Sequence, residues 1–156
     1  MCADIYVVRS GKPMARNQSA LTMENLFRVL ADRTRLRLLN LMNGQEICVC
    51  YLVEVLKTSQ PKISRHLAYL RNSGIVAARR EGRWMHYRIV PPSDPAAARI
   101  LEEVQRRLAE DRAMQQDRAR LVKACCMPQK FVRLSKAPPP AALPRTDLRP
   151  ASAASP

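Results

Sequence analysis

Five cysteines are the residues of this chain best suited to chemistry, and four of them form two close pairs, Cys48-Val49-Cys50 and Cys125-Cys126. Cys2 stands alone near the N-terminus. Thiols so near one another either chelate a soft, thiophilic ion or cycle through a disulfide. Vicinal and Cys-x-Cys disulfides are geometrically strained. No secretory signal is read, because Ile5-Tyr6-Val7-Val8 is too short for its apolar core. No apolar stretch approaches the roughly 18 residues of a membrane span. The expectation is a cytoplasmic protein without membrane contact, in which close cysteine pairs act as metal or redox ligands rather than as a disulfide framework.

The elements that must position these thiols follow from periodicity. Met23, Leu26, Phe27 and Leu30 have the i, i+3, i+4, i+7 spacing of one helix face, with Thr22 as its cap. Asp32 caps a second helix that turns Leu36, Leu39 and Met42 inward and closes at Asn43-Gly44. The spacing predicts a third helix over about 48–57, with Val49, Leu52, Val53 and Leu56 inward. Thr58-Ser59-Gln60-Pro61 breaks the pattern and a fourth helix begins at once, since proline is tolerated in a first turn. It buries Ile63, Leu67 and Leu70 and ends at Gly74. Residues 75–80 and 84–90 read as a β-hairpin around Glu81-Gly82-Arg83. Asp94 then caps a long helix over about 95–124 that carries Ile100, Val104 and Leu108.

This order is a winged helix-turn-helix. The fold class is mainly α (α+β), with a long C-terminal helix. The expected organisation is a flexible arm at 1–20, the winged helix-turn-helix domain at 21–91 and the long helix at 93–127. A tail at 128–156 is expected to be disordered, because its Pro/Ala-rich text, including Pro138-Pro139-Pro140, cannot bury a core. The core itself must be aliphatic, since 47% of residues are hydrophobic and only 4% aromatic.

Cys48 and Cys50 would open the third helix. Two residues apart on a regular helix they lie roughly 200° from each other. Gripping one ion together therefore requires an irregular or unwound turn, which would disturb the support of the following helix. A helix N-terminus also lowers a thiol pKa and favours the thiolate.

Charge indicates the partner. The formal net charge of +14 calls for a polyanion. Residues 22–90 hold twelve Lys/Arg against five Asp/Glu, whereas 91–128 hold seven against six. The surplus sits where a winged helix-turn-helix meets double-stranded DNA. The second helix of the motif enters the major groove, and its outward face carries Ser59, Gln60, Lys62, Ser64, Arg65, His66 and Tyr69. Arg79, Arg80 and Arg83 surround the hairpin tip, placed for phosphates or the minor groove. His66 is expected to contact DNA, and His86 to be structural.

Leu30-Ala31-Asp32-Arg33-Thr34-Arg35-Leu36, Cys48-Val49-Cys50, Ser59-Gln60-Pro61-Lys62-Ile63-Ser64-Arg65-His66-Leu67 and Gly82-Arg83-Trp84-Met85-His86-Tyr87 closely resemble the ArsR/SmtB family of bacterial metal-sensing repressors. The resemblance covers about residues 21–91. It implies a homodimer, paired through first and last helices, that binds a palindromic operator and leaves it when metal binds. The long C-terminal helix at 93–127 is then a dimerisation helix with a possible sensing role. Cys-Val-Cys resembles the family's helix-three motif for arsenic, antimony, cadmium and lead. The implied inducer is trivalent arsenic or antimony, with Cd(II), Pb(II) or thiol oxidation as alternatives and no catalytic cofactor. The arsenic pattern has a third cysteine three residues after the second, and Val53 stands there instead. Cys125 and Cys126 are candidates for the missing sulfur or for a second site, and Cys2 is a further candidate. A zinc site of the family's last-helix type is not expected, because that helix contains no histidine. An enzyme is not expected either. A thiol arsenate reductase needs Arg after five intervening residues, and Cys126 meets Arg133 after six.

Overall fold

The computed structural model describes residues 21–131, 134 and 136–142. The arm at 1–20, Cys2 within it, and residues 143–156 of the tail lie outside the described residues. The elements are α1 Met23–Leu30, α2 Arg33–Met42, β1 Gln45–Cys48, α3 Val49–Leu56, α4 Gln60–Asn72, β2 Val76–Glu81, β3 Trp84–Ile89, α5 Pro95–Glu110 and α6 Arg112–Cys126, then a 3-10 turn Pro128–Lys130 and β4 Ala141–Ala142. Helices α3 and α4 with the hairpin β2–β3 make the winged helix-turn-helix that the periodicity predicts.

Local chemistry starts and stops these elements. The side chains of Thr22, Asp32 and Asp94 accept hydrogen bonds from the first-turn amides of α1, α2 and α5, satisfying donors that have no intrahelical partner. The α3–α4 turn is made by Lys57, which holds a left-handed φ of 49°. Its own amide and that of Thr58 return to the carbonyls of Glu54 and Val53. The wing closes in a two-residue loop between paired Glu81 and Trp84, where Gly82 has φ 57°, a sign of φ that favours glycine at the head of a hairpin. The core is aliphatic as expected, with Leu26, Leu38, Leu52, Ile63, Leu67 and Leu70 fully buried.

Four features differ from the sequence reading. The segment 45–48 is a strand: β1 pairs antiparallel with β3, Ile47 facing Tyr87 and Cys48 facing His86. A buried Glu46 interrupts the apolar text and hides this short strand. Helix three consequently starts at Val49, and Cys48 is its cap. The long last helix is broken at Asp111, whose extended backbone ends α5 while its carboxylate caps Ala113 and Met114 of α6. The start of the tail is packed: Leu134 is buried, and β4 pairs with β1 through Gln45–Ala142 and Glu46–Ala141. The sheet order is β2-β3-β1-β4. Finally, Met23 and Phe27, expected to face the core, are 36% and 55% exposed. They lie on a part of α1 that this protomer does not cover.

Candidate functional site

Cys48 ends a strand and Cys50 is the second residue of α3. With φ −66° and ψ 141°, Cys48 is extended rather than helical. The 200° separation of a regular helix therefore does not apply, because the irregular turn that chelation requires is built in. Cys48 lies close enough to the Cys50 thiol to raise its pKa. Cys48 is fully buried and Cys50 partly exposed, and both are free thiols.

The expectation of a lowered thiol pKa is overturned. The Cys50 pKa is pushed up to about 11, first by burial and then by the neighbouring Cys48. Desolvation of the thiolate outweighs the helix N-terminus here. Cys50 is held as a neutral thiol.

Cys125 and Cys126 close α6, partly buried and exposed respectively. Burial, then Cys126, raises the Cys125 pKa. The ring of Tyr51 in α3 is buried. Burial raises its pKa, with further upward contributions from Cys125, Cys48 and Cys50 in that order. The phenol thus responds to thiols of both pairs. Among the described residues, no three His, Cys, Asp or Glu side chains converge closely enough to hold a metal ion. The fold brings Cys48 and Cys50 together and keeps Cys125 and Cys126 apart from them.

On the DNA-reading side, α4 presents Ser59, Gln60, Lys62, Arg65 and Tyr69 as exposed residues, with Ser64 half-buried. Two predicted contacts are engaged within the chain. His66 is turned toward Asp32, Nδ1 to Oδ1 3.5 Å, at the cap of α2. The guanidinium of Arg79 donates from Nε and Nη2 to Glu46 Oε1 at 3.0 and 2.7 Å and from Nη1 to Glu81 Oε2 at 2.8 Å. These carboxylates raise its pKa. Arg80 and Arg83 remain exposed at the tip, Arg80 donating to the Gly82 carbonyl and Arg83 stacking over Trp84 at 4.8 Å. Tyr69 is covered on one ring face by Arg35 at 4.6 Å.

A polar joint between α2 and α6 had no counterpart in the sequence reading. Asp117, buried in α6, accepts from Arg37 Nε at 2.6 Å and Nη2 at 2.8 Å, and from Arg120 at 3.2 Å. Asn40 of α2 donates to the Met114 carbonyl and accepts at its own carbonyl from Arg118. The cue was an acid within the basic run of α6, with Arg120 three residues on.

The chain is similar to known bacterial regulators. Residues 32–78 match the family model described as bacterial regulatory protein, arsR family. An arsenical resistance operon repressor of Escherichia coli is 50% identical over 82 residues, which cover 52% of this chain and 70% of that one. An arsenic resistance transcriptional regulator of Pseudomonas putida is 48% identical over 80 residues, which cover 51% of this chain and 62% of that one. A homodimeric winged helix-turn-helix DNA-binding domain from Mycobacterium bovis is 29% identical, with a TM-score of 0.46 over 57% of this chain and 80% of that one.

Proposed function

The chain belongs to the arsR family of bacterial regulatory proteins, and from that premise we propose that it is a homodimeric, operator-binding repressor released when trivalent arsenic or antimony bonds to Cys48 and Cys50. The observation that carries this reading is the pair of free thiols at the junction of β1 and α3, where α3 is the first helix of the helix-turn-helix. The names of the two bacterial relatives agree with an arsenical inducer.

Protonation favours a metalloid over a divalent ion. Arsenous acid condenses with neutral thiols: each S–H proton leaves with an As–OH group as water while an As–S bond forms. Two thiols therefore release two waters and no net proton. Cadmium or lead must instead displace the protons, because these ions bind thiolates. A Cys50 thiol raised to about 11 makes that displacement costly near neutral pH. Two sulfurs leave the metalloid one ligand short of three. Because Cys125 and Cys126 do not join Cys48 and Cys50 in one cluster of three ligating side chains, they are assigned as a second dithiol site, with Cys2 as a candidate third ligand from the arm.

The DNA face consists of Ser59, Gln60, Lys62, Ser64, Arg65 and Tyr69 with Arg80 and Arg83 of the wing. Exposed Met23 and Phe27 on α1 and Val122 on α6 support a dimer paired through these helices. No described helix is long and apolar enough to cross a membrane, and a regulator of DNA belongs in the cytoplasm. No catalytic role is assigned.

The test challenges the operator complex in parallel with arsenite, antimonite, cadmium and lead. The metalloids are expected to dissolve it at lower concentrations than either divalent ion. The reverse order assigns the site to Cd(II) or Pb(II).

A further inference from the structure

Glu46, His86 and Arg79 are absorbed neither by the thiol site nor by the DNA-reading face. Their placement in the sheet is specific. His86 of β3 is the register partner of Cys48 on one side and of Arg79 on the other. Cys48, His86 and Arg79 therefore form one lateral row across three strands, with side chains on the same face of the pleat. Glu46 and Glu81 lie two residues along β1 and β2 from members of that row and share its face.

Arg79 uses this geometry to reach over the middle strand. Its guanidinium binds Glu46 on β1, a carboxylate only 11% exposed, while the Arg79 side chain itself is 50% exposed. His86 is nearly buried beside this ion pair, Nδ1 4.0 Å from Glu46 Oε1 and Nε2 3.8 Å from Glu81 Oε2. The buried Nε2 has no hydrogen-bond partner. An unsatisfied buried nitrogen costs free energy, so the row holds a polar group that a small shift of a neighbouring carboxylate would satisfy.

We propose that the Glu46–Arg79 pair, seated on His86, is the element that transmits thiol ligation to the DNA-binding wing. Glu46 is two residues from Cys48 on a four-residue strand, so a displacement of Cys48 displaces Glu46 with it. With the pair intact, β2 and β3 are tied to β1 and the wing is set for DNA. Ligation at Cys48 and Cys50 pulls on β1, the pair parts, and the wing leaves its DNA-competent position. Arg79 and Glu46 are positioning residues in this scheme, not ligands of the metalloid. The inference rests on the reading of Cys48 and Cys50 as the inducer site.

The test uses the full chain and its operator. Operator affinity is measured with and without saturating arsenite for wild type, Glu46→Gln and Arg79→Met. Arsenite capture is followed separately as loss of reactive thiols, and the wing is followed by fluorescence of Trp84, the single tryptophan. Wild type should lose operator affinity by roughly ten- to a hundredfold, a usual range for coupled sites, with a change in Trp84 emission. Both variants should still capture arsenite with wild-type stoichiometry, yet the ratio of affinities should fall to within about threefold of unity and Trp84 should stop responding. Variants that retain the wild-type ratio overturn the transmission role. Failure of arsenite to protect thiols in the wild type overturns the inducer site instead, so the two failures are distinguishable. Melting curves for both variants check the fold. Should Arg79→Met unfold, the nearly isosteric Glu46→Gln decides alone.

Discussion

Alkylation of Cys50 offers a quantitative probe of the thiol pair. Its pKa of about 11, against an ordinary 9.0, lowers the thiolate fraction at pH 7.5 about a hundredfold. A more basic thiolate is a better nucleophile, with a Brønsted slope near 0.4–0.5, which returns somewhat less than a factor of ten. The net expectation is reaction with iodoacetamide about tenfold slower than an unhindered cysteine, and slower still where burial blocks approach. The rate, read by peptide-resolved mass spectrometry, should keep rising through pH 9–10, where an ordinary thiol levels off. Cys48→Ser should shift the profile of Cys50 downward, because the neighbouring thiol is one of the groups raising its pKa. The sign also fixes a linkage. The folded state holds the Cys50 proton more tightly than the unfolded chain does. That stabilisation is therefore fully present below the ordinary thiol pKa and is lost as pH rises through about 11. A Cys50 rate that levels off below pH 9, or exceeds that of free cysteine at pH 7.5, refutes the neutral-thiol account.

Other consequences concern the frame around the site. Asp117→Asn should cost about 3 kcal/mol in urea unfolding, the low end for a broken buried pair, because the Arg37 side chain is 26% exposed. A loss below about 1 kcal/mol would show that the α2–α6 joint contributes little. Lys57→Gly should stabilise by about 1 kcal/mol, relieving the left-handed backbone at φ 49°, and a calorimetric melt should move up by a few degrees. In operator binding, Arg80→Ala and Arg83→Ala should each reduce the slope of log affinity against log salt by about 0.9 for every phosphate that is no longer neutralised. Arg79→Ala should also lower that slope, because parting the pair with Glu46 withdraws Arg80 and Arg83 with the wing.

Much of the frame was legible because it depends on local rules. Thr22, Asp32 and Asp94 cap helices wherever they stand before an apolar periodic run. Gly82 between two strand-like runs announces a hairpin. The misses come from long-range contacts. β1 is a strand because β3 and β4 lie beside it, and nothing within 45–48 reports that pairing. The error over the thiols followed, since a helical Cys48 would point away from Cys50 while a capping Cys48 does not. In sequence Arg79 is like any other wing arginine, because its partner Glu46 stands 33 residues earlier. Asp111 breaks the last helix although Asp is also tolerated in helix interiors, so the break needed the cap geometry to be seen. Met23 and Phe27 kept their periodicity but face outward, because periodicity identifies an apolar stripe without saying which molecule covers it.

The central claim is that Cys48 and Cys50 are the switch. Its most direct test is fluorescence anisotropy of labelled operator DNA, at fixed salt, titrated with arsenite in the presence of wild type, Cys48→Ser, Cys50→Ser and the Cys125→Ser/Cys126→Ser double variant. The account predicts that the wild type and the double variant release the operator, while either single serine variant stays bound. Release by Cys48→Ser at the wild-type arsenite concentration, or a wild-type complex that arsenite leaves intact, would contradict it.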